Sequence, residues 1–289
     1  MTQYWPSDLD TFYISYDEPN CEEHWARVLQ VIPTAKRIHR VKGFDSAHKA
    51  CALASDTQRF MTIDGDNWLL NQALDQLLDD TDHADVVFSF KSKNVINGLE
   101  YGNGGIKCWD RDVLLNSHTH ENSDNTDFCW TMRYYQIDVL GSHSVNNSTP
   151  FQAWRAGFRE GVKMSYVNGQ PMADVRSDWN KIANSNRSKL NVWMTVGRDV
   201  VNGSWAMLGA RQGFHQLYTG EISNIVINDY DWFNKQWRSM QFVNIEQQLQ
   251  QYARRLREDF EIIIPELDQF ASQWFKSAYI HPPRRGLML

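Results

Sequence analysis

Between residues 11 and 92, short apolar runs alternate with segments of helical period, and this constrains the fold more than any other feature of the chain. The runs TFYISY (11–16), AKRIHRVKG (35–43), RFMTI (59–63) and ADVVFSFKS (84–92) read as strands. Between them, EEHWARVLQVI (22–32), DSAHKACALAS (45–55) and NQALDQLLDD (71–80) read as helices. In the first helix Trp25, Val28, Leu29 and Ile32 share a face, and Pro33 stops it; Asp45 or Ser46 is the expected N-cap of the second. Strands alternating with helices of about ten residues predict an α/β fold, a mostly parallel sheet flanked by helices with right-handed crossovers. The C-terminal part reads as more helical. Residues 97–109 suit a loop feeding a short strand, 111–116 a helix start, and 118–127 a mobile polar stretch. Residues 151–164 have helical spacing, 188–210 are helical or mixed, and 243–267 suit one long helix with Arg254, Arg255 and Arg257 on its exposed side. No repeat or low-complexity linker marks a boundary, so a single domain over 1–289 is expected.

The third strand ends in an unusual way. In RFMTIDGDNWL (59–69) an apolar run meets two carboxylates, Asp64 and Asp66, separated by Gly65. Ligands of open α/β sheets bind beyond the carboxyl ends of the strands. Tyr16-Asp17 and Lys42-Gly43 follow the first two strands in the same way, so three loops would converge on one crevice. Two carboxylates leaving a strand end can reach one hard cation, and oxygen ligands favour Mg²⁺ or Mn²⁺. The same residues also suit an acidic turn, or Asp66 or Asn67 capping a helix over 68–78. An EF-hand is excluded, because the further oxygen ligands and the closing Glu are missing.

Charge is uneven. Residues 1–100 hold 9 Lys and Arg against 16 Asp and Glu, whereas 151–211 hold 9 against 4, a basic stretch that suits either a phosphate-bearing partner or a solvated face. Twelve Trp supply stacking faces for sugars or bases as well as core. The four Cys, Cys21, Cys51, Cys108 and Cys129, form no metal-binding pair, and free thiols in a reducing cytoplasm are expected. MTQYWPSDLD is no signal peptide and no apolar run approaches membrane-spanning length, so no membrane association is expected.

The span KGFDSAHKACALASDTQRFMTIDGDNWL (42–69) resembles the nucleotide-sugar segment of GT-A-type glycosyltransferases. In that family a Gly-rich turn, an Ala-rich helix with a basic residue and a strand ending in D-x-D follow in this order, and here Gly43, Lys49 and Asp64/Asp66 take those places. FYISYDEP (12–19) matches the first strand and the loop that holds the nucleobase, which puts Ser15 and Tyr16 at the base, with Tyr16 stacking on a uracil. The resemblance covers about residues 10–110. It implies a nucleotide-sugar-binding half over 8–110, an acceptor half over 111–289, a UDP-sugar donor, and Mn²⁺ or Mg²⁺ on Asp64 and Asp66. NGGIKCW (103–109) resembles the segment beside donor sugar and acceptor, with Gly104 and Gly105 in it. NTDF (125–128) would carry the acceptor-side carboxylate, Asp127, and the third metal ligand would be His215, with His143 the other candidate. The wider pattern is similar to glycosyltransferases encoded by tailed bacteriophages, which implies hydroxymethylated cytosine in duplex DNA as acceptor, with the base flipped out. A nucleotidyltransferase on a similar scaffold, a transferase acting on a glycan or protein, and a phosphate- or glycan-binding module are the competing readings.

Overall fold

The computed structural model describes residues 3–81, 83, 85–102, 104–119, 121, 131–167, 170–240, 242–279 and 286–288. The chain divides into two compact units, one of Met1–Val95, Glu100–Val145 and His281–Leu289, the other of Ile96–Leu99 and Asn146–Ile280.

The first unit is a sheet flanked by helices. Its strands are β1 (Gln3–Tyr4), β2 (Asp10–Ser15), β3 (Lys36–His39), β4 (Arg59–Asp64), β5 (Asn67–Leu69), β6 (Leu78–Asp79), β7 (Val87–Asn94), β8 (Glu100–Tyr101), β9 (Ile106–Asp110), β10 (Tyr134–Ser144) and β11 (Gly286–Met288). Its helices are α1 (Cys21–Val31), α2 (Phe44–Ala54) and α3 (Arg111–Asn116). The main path runs β11-β10-β7-β9-β4-β2-β3, with β5 on β10 and β8 on β7. The sheet is mixed, not mostly parallel as the alternation predicts. β2 runs parallel to β3 and β4, and β10 parallel to β7, but β9 is antiparallel to both β4 and β7. The reason lies after residue 94, where βαβ alternation ends and the chain returns through a loop rather than a crossover helix.

The central strands β2, β4, β7 and β9 feed two cores, as period-2 geometry requires. Tyr13, Met61, Ile63, Phe88, Phe90, Ile106 and Cys108 pack on the α1 side with Cys21 and Val28. Phe12, Phe60, Val87 and Trp109 pack on the α2 side with Cys51, Ala52 and Leu114. Each fully buried large apolar side chain contributes about 1.5–3 kcal/mol. In α1 the buried positions are Cys21, His24 and Val28, whereas Leu29 lies outside.

The segment 71–80 departs from its expected helix. It forms a 3₁₀ turn at Asn71–Ala73 and then β6, which pairs with β1. Arg59 explains this. Its guanidinium is fully buried, bonds Asp80 at 2.5 Å, and also donates to His83 O and Val86 O. A buried charge needs such partners, and Asp80, His83 and Val86 supply them.

The second unit is helical: α4 (Pro150–Lys163), α5 (Val175–Asp178), α6 (Asn184–Thr195), α7 (Gly203–Tyr218), α8 (Tyr230–Met240), α9 (Ile245–Phe260) and α10 (Gln269–Ala278). α4 and α7 cross through glycines. A Cβ on Gly157 would stand 1.9 Å from Ala206 O, one on Gly209 2.0 Å from Trp154 O, and one on Gly213 2.3 Å from Phe158 O. Trp154, Phe158, Phe233 and Trp237 pack around the crossing, and Trp154 Nε1 donates to Gln212 Oε1 at 2.6 Å. Several of the tryptophans are therefore core. The last long helix ends at Glu261, which adopts left-handed geometry (φ 62°), rather than running to 267. Ile262 and Ile264 are buried and Ile263 is exposed, the alternation of an extended chain, and Pro265 excludes helix beyond. On α9, Arg254 and Arg257 are exposed as expected, while Arg255 lies over the Tyr252 ring. Among the described residues no helix is long and apolar enough to cross a membrane.

Candidate active site

The chain passes from β2 through α1 to β3 on one side, then through α2 to β4 on the other. This order creates a switch point between β2 and β4. Because β2, β3 and β4 are parallel, the loops after Ser15, His39 and Asp64 share one edge, as the sequence predicts. The antiparallel β9 places its amino end there too, with Ile106 opposite Ile63, so Gly104 and Gly105 join the same edge.

Asp64, Gly65 and Asp66 are held from several directions. Asp64 N–H donates to Gly105 O at 2.8 Å. Gly65 O accepts from Tyr13 Oη at 2.8 Å and lies 3.1 Å from His24 Nδ1. Burial pushes the Tyr13 phenol far upward, so it stays protonated and can donate. Burial likewise holds His24 below its ordinary value. Its neutral ring then donates from Nδ1 to Gly65 O and accepts at Nε2 from Asn20 Nδ2, 3.2 Å away. A Cβ on Gly65 would meet Glu18 Oε2 at 2.8 Å and Ile14 O at 3.0 Å.

Asp66 is oriented by its neighbour. Asn67 is buried, and its Nδ2 donates to Asp66 Oδ1 at 2.8 Å. Asn67 Oδ1 accepts from Ser142 Oγ (2.7 Å), Ser92 Oγ (3.1 Å) and Ser144 Oγ (3.4 Å), which joins β5, β7 and β10 behind the loop. Asp66 O accepts from Val145 N at 2.7 Å. Neither Asp66 nor Asn67 caps a helix over 68–78, because that segment is a strand and a 3₁₀ turn.

Asp64 faces Lys107. Nζ stands 3.5 Å from Asp64 Oδ2 and donates to Gly104 O at 2.9 Å. The lysine side chain is 4% exposed and the aspartate side chain 33%. Sequence reasoning missed both Lys107 and Asn67. The available signals were a lone lysine in the apolar strand IKCW, and an amide directly after the paired carboxylates.

The other sequence-derived residues divide as follows. Tyr16 is exposed, and its N–H donates to Glu18 Oε2 at 2.7 Å. Ser15 is buried and bonds Arg37 Nε and His39 Nδ1. Gly43 (φ +99°) opens α2, where the expected cap from Asp45 or Ser46 is absent; instead the Glu121 carboxylate accepts Asp45 N–H at 2.9 Å. Lys49 pairs with Asp45 at 3.1 Å on its own helix. Burial raises the Asp45 carboxyl, but bonds from Lys49 and Thr119 outweigh this and hold it low. Gly104 and Gly105 have a packing reason: a Cβ would lie 2.7 Å from Ser92 Cβ in the first case and 2.0 Å from Asn67 Nδ2 in the second. His143 sits on β10 opposite Trp68 of β5, in the same unit as Asp64 and Asp66. His215 belongs to the second unit, buried on α7 with Nε2 2.7 Å from Asp259 Oδ2. Asp127 and Cys129 lie outside the described residues.

Among the described residues no three of His, Cys, Asp and Glu converge as a metal cage.

The basic stretch 151–211 is largely engaged within its own unit. Arg211 is fully buried and pairs with Glu266 at 2.7 Å, Arg198 pairs with Glu246 and Glu266, Lys163 with Glu160 and Lys181 with Asp178. Arg176 donates to the carbonyls of Glu258 and Asp259.

No family model matches this chain, and no curated protein or solved structure is significantly similar to it.

Proposed function

We propose that the protein is a glycosyltransferase that uses Asp64 and Asp66 to hold a divalent cation, Mn²⁺ or Mg²⁺, on the diphosphate of a nucleotide sugar, most simply a UDP-sugar. The carrying observation is the D-G-D turn at the switch point of the sheet, whose backbone and Asp66 side chain are fixed by buried Tyr13, His24 and Asn67. A turn needed only to reverse the chain has no use for an amide held by serine hydroxyls of two other strands.

The roles follow from position. Asp64 and Asp66 would hold the cation, which supplies Lewis-acid stabilisation of charge on the departing diphosphate. Asn67 fixes the Asp66 carboxylate, so no reorganisation is needed when the charge develops. Tyr16 presents an exposed ring for a base. Lys107 supplies positive charge beside Asp64. The acceptor is a hydroxyl, and hydroxymethylated duplex DNA is the first acceptor to try. That choice rests on the resemblance alone, because much of the basic stretch that would meet phosphates is paired internally.

Incubation with UDP-sugars and Mn²⁺ without acceptor tests the reading, since a transferase releases some sugar to water and a binding module cannot. Free UDP from the wild type and not from Asp66→Asn supports it. No release from any nucleotide sugar, with or without hydroxymethylated DNA, overturns it.

A further inference from the structure

The geometry points to a sugar subsite at Lys91, Glu100 and Asp138, a cluster on the same sheet face as Asp64 that takes the hydroxyls of the donor's sugar ring. The inference rests on the reading of Asp64 and Asp66 as the place of the diphosphate, and it names the residues that would read the sugar.

The pairing of strands puts the cluster there. Thr62, Lys107, Ser89 and Gln136 stand opposite one another across β4, β9, β7 and β10, and all four are buried. β4, β7 and β10 run in one direction, because β4 and β7 are both antiparallel to β9 and β10 is parallel to β7. Two residues further toward their carboxyl ends, side chains return to the same face. Asp64 stands there on β4 and Lys91 on β7. On β10 the position is Asp138, where the register shifts between Ile137 and Leu140. Despite the shift its carboxylate stays on that face, 2.7 Å from Lys91 Nζ, and Glu100 of β8 approaches the same ammonium at 3.3 Å. Lys93 and His143, opposite each other beyond Lys91, extend the row.

Charge and spacing select the ligand. Strands lie about 4.8 Å apart, so across the sheet Lys91 is about 10 Å and Asp138 about 14 Å from Asp64, backbone to backbone. A phosphate at Asp64 that carries a sugar ring toward β7 fits this span. The side chains of Lys91, Asp138 and Glu100 are 17%, 13% and 19% exposed, so each keeps some contact with solvent. Burying charged groups this far is poorly repaid by their mutual attraction alone. Burial opposes the charge on Lys91, but its bonds to the two carboxylates outweigh this and hold it protonated. The cluster therefore offers ionised acceptors and a charged donor side by side. Vicinal hydroxyls use both, the O–H donating to a carboxylate and the oxygen accepting from the ammonium. A further phosphate there would be repelled by Asp138 and Glu100.

Two near-isosteric variants, Asp138→Asn and Glu100→Gln, remove one carboxylate charge each, and circular dichroism checks their fold. Titration calorimetry with Mn²⁺ present measures UDP and one UDP-sugar, whichever the wild type binds tightest from a panel of glucose, galactose, N-acetylglucosamine and xylose donors. That UDP-sugar should bind about tenfold or more weakly in each folded variant, the loss of one hydrogen bond to a charged group, while UDP stays within about twofold of wild type. A purely structural role predicts instead that both ligands weaken together or that neither changes; either result overturns the inference and leaves the diphosphate reading intact. Saturation-transfer NMR on the wild type with the same UDP-sugar and Mg²⁺ needs no variant. The sugar-ring protons should be saturated about as strongly as those of uracil, and a sugar left unsaturated overturns the inference. A wild type that binds UDP but no UDP-sugar overturns it too. A wild type that binds neither overturns the site reading and the inference with it.

Discussion

Asn67→Asp is nearly isosteric and so isolates one interaction. The substitution keeps an oxygen to accept the hydroxyls of Ser142 and Ser92, at 2.7 and 3.1 Å in the wild type. It replaces the Nδ2 donor, 2.8 Å from Asp66 Oδ1, with a second oxygen. A hydrogen bond to a charged group contributes about 1.5–3 kcal/mol. Two like charges at 4 Å repel by about 4 kcal/mol at an effective permittivity of 20. The loss at neutral pH should therefore be several kcal/mol, a large part of the 5–15 kcal/mol typical of a folded domain. The sign of the pH dependence is fixed. The introduced carboxyl is buried beside Asp66, so its folded pKa rises above the unfolded value. Protonation then favours the folded state, and the variant recovers stability relative to wild type as pH falls from 7 towards 5, because a protonated carboxyl can donate to Asp66 again. Urea denaturation of both proteins at several pH values measures this. A variant within about 0.5 kcal/mol of wild type at pH 7, or a deficit that grows on acidification, would refute the claim that Asn67 orients Asp66 by donating to it.

Three further outcomes are expected. In Gly209→Ala the new Cβ would lie 2.0 Å from Trp154 O, a backbone atom that cannot rotate away, so stability should fall by about 1–3 kcal/mol in thermal melts despite the better helix propensity of Ala. His24 is held neutral below its ordinary value of 6.5, so its contribution is complete above pH 6.5 and is lost as pH falls below that, by up to about 1.4 kcal/mol per unit until the folded ring also protonates; wild type should lose more stability than His24→Asn between pH 7.5 and 5.5, and equal losses would contradict this. Burial pushes the Cys108 thiol up to about 12 and Cys51 higher still, so a thiol reagent at pH 8 should leave both unmodified in the native protein and label both in denaturant, as read by peptide mass mapping.

The parts of the fold that were legible in the sequence are those governed by local period. β2, α1, β3, α2, β4 and β7 lie where alternation and helical spacing put them, because each buries one face against its neighbours. What was not legible depends on distant partners. Arg59 reaches Asp80 and unmakes a helix that 71–80 would otherwise suit. Gly43 and a glutamate 76 residues from Asp45 do the work expected of a local cap. At the site, the loops and the paired carboxylates were visible as strand ends. Lys107 and the serines of β7 and β10 were not, since only the pairing of β9 with β4 and of β5 with β10 brings them behind Asp64 and Asp66.

The central claim is that the D-G-D turn holds a cation on a diphosphate. Thermal shift of wild type and the Asp64→Asn/Asp66→Asn double variant, with a panel of nucleotides with and without Mn²⁺, tests it most directly. A ligand at 100 times its Kd adds about 2.7 kcal/mol, which raises the melting temperature of a chain of this size by about 4–5 °C. The account predicts such a rise for wild type with UDP and Mn²⁺ together, little with either alone, and none for the double variant. No shift of the wild type with any nucleotide, or the same shift in the double variant, would contradict it and leave Asp64 and Asp66 as residues of a turn.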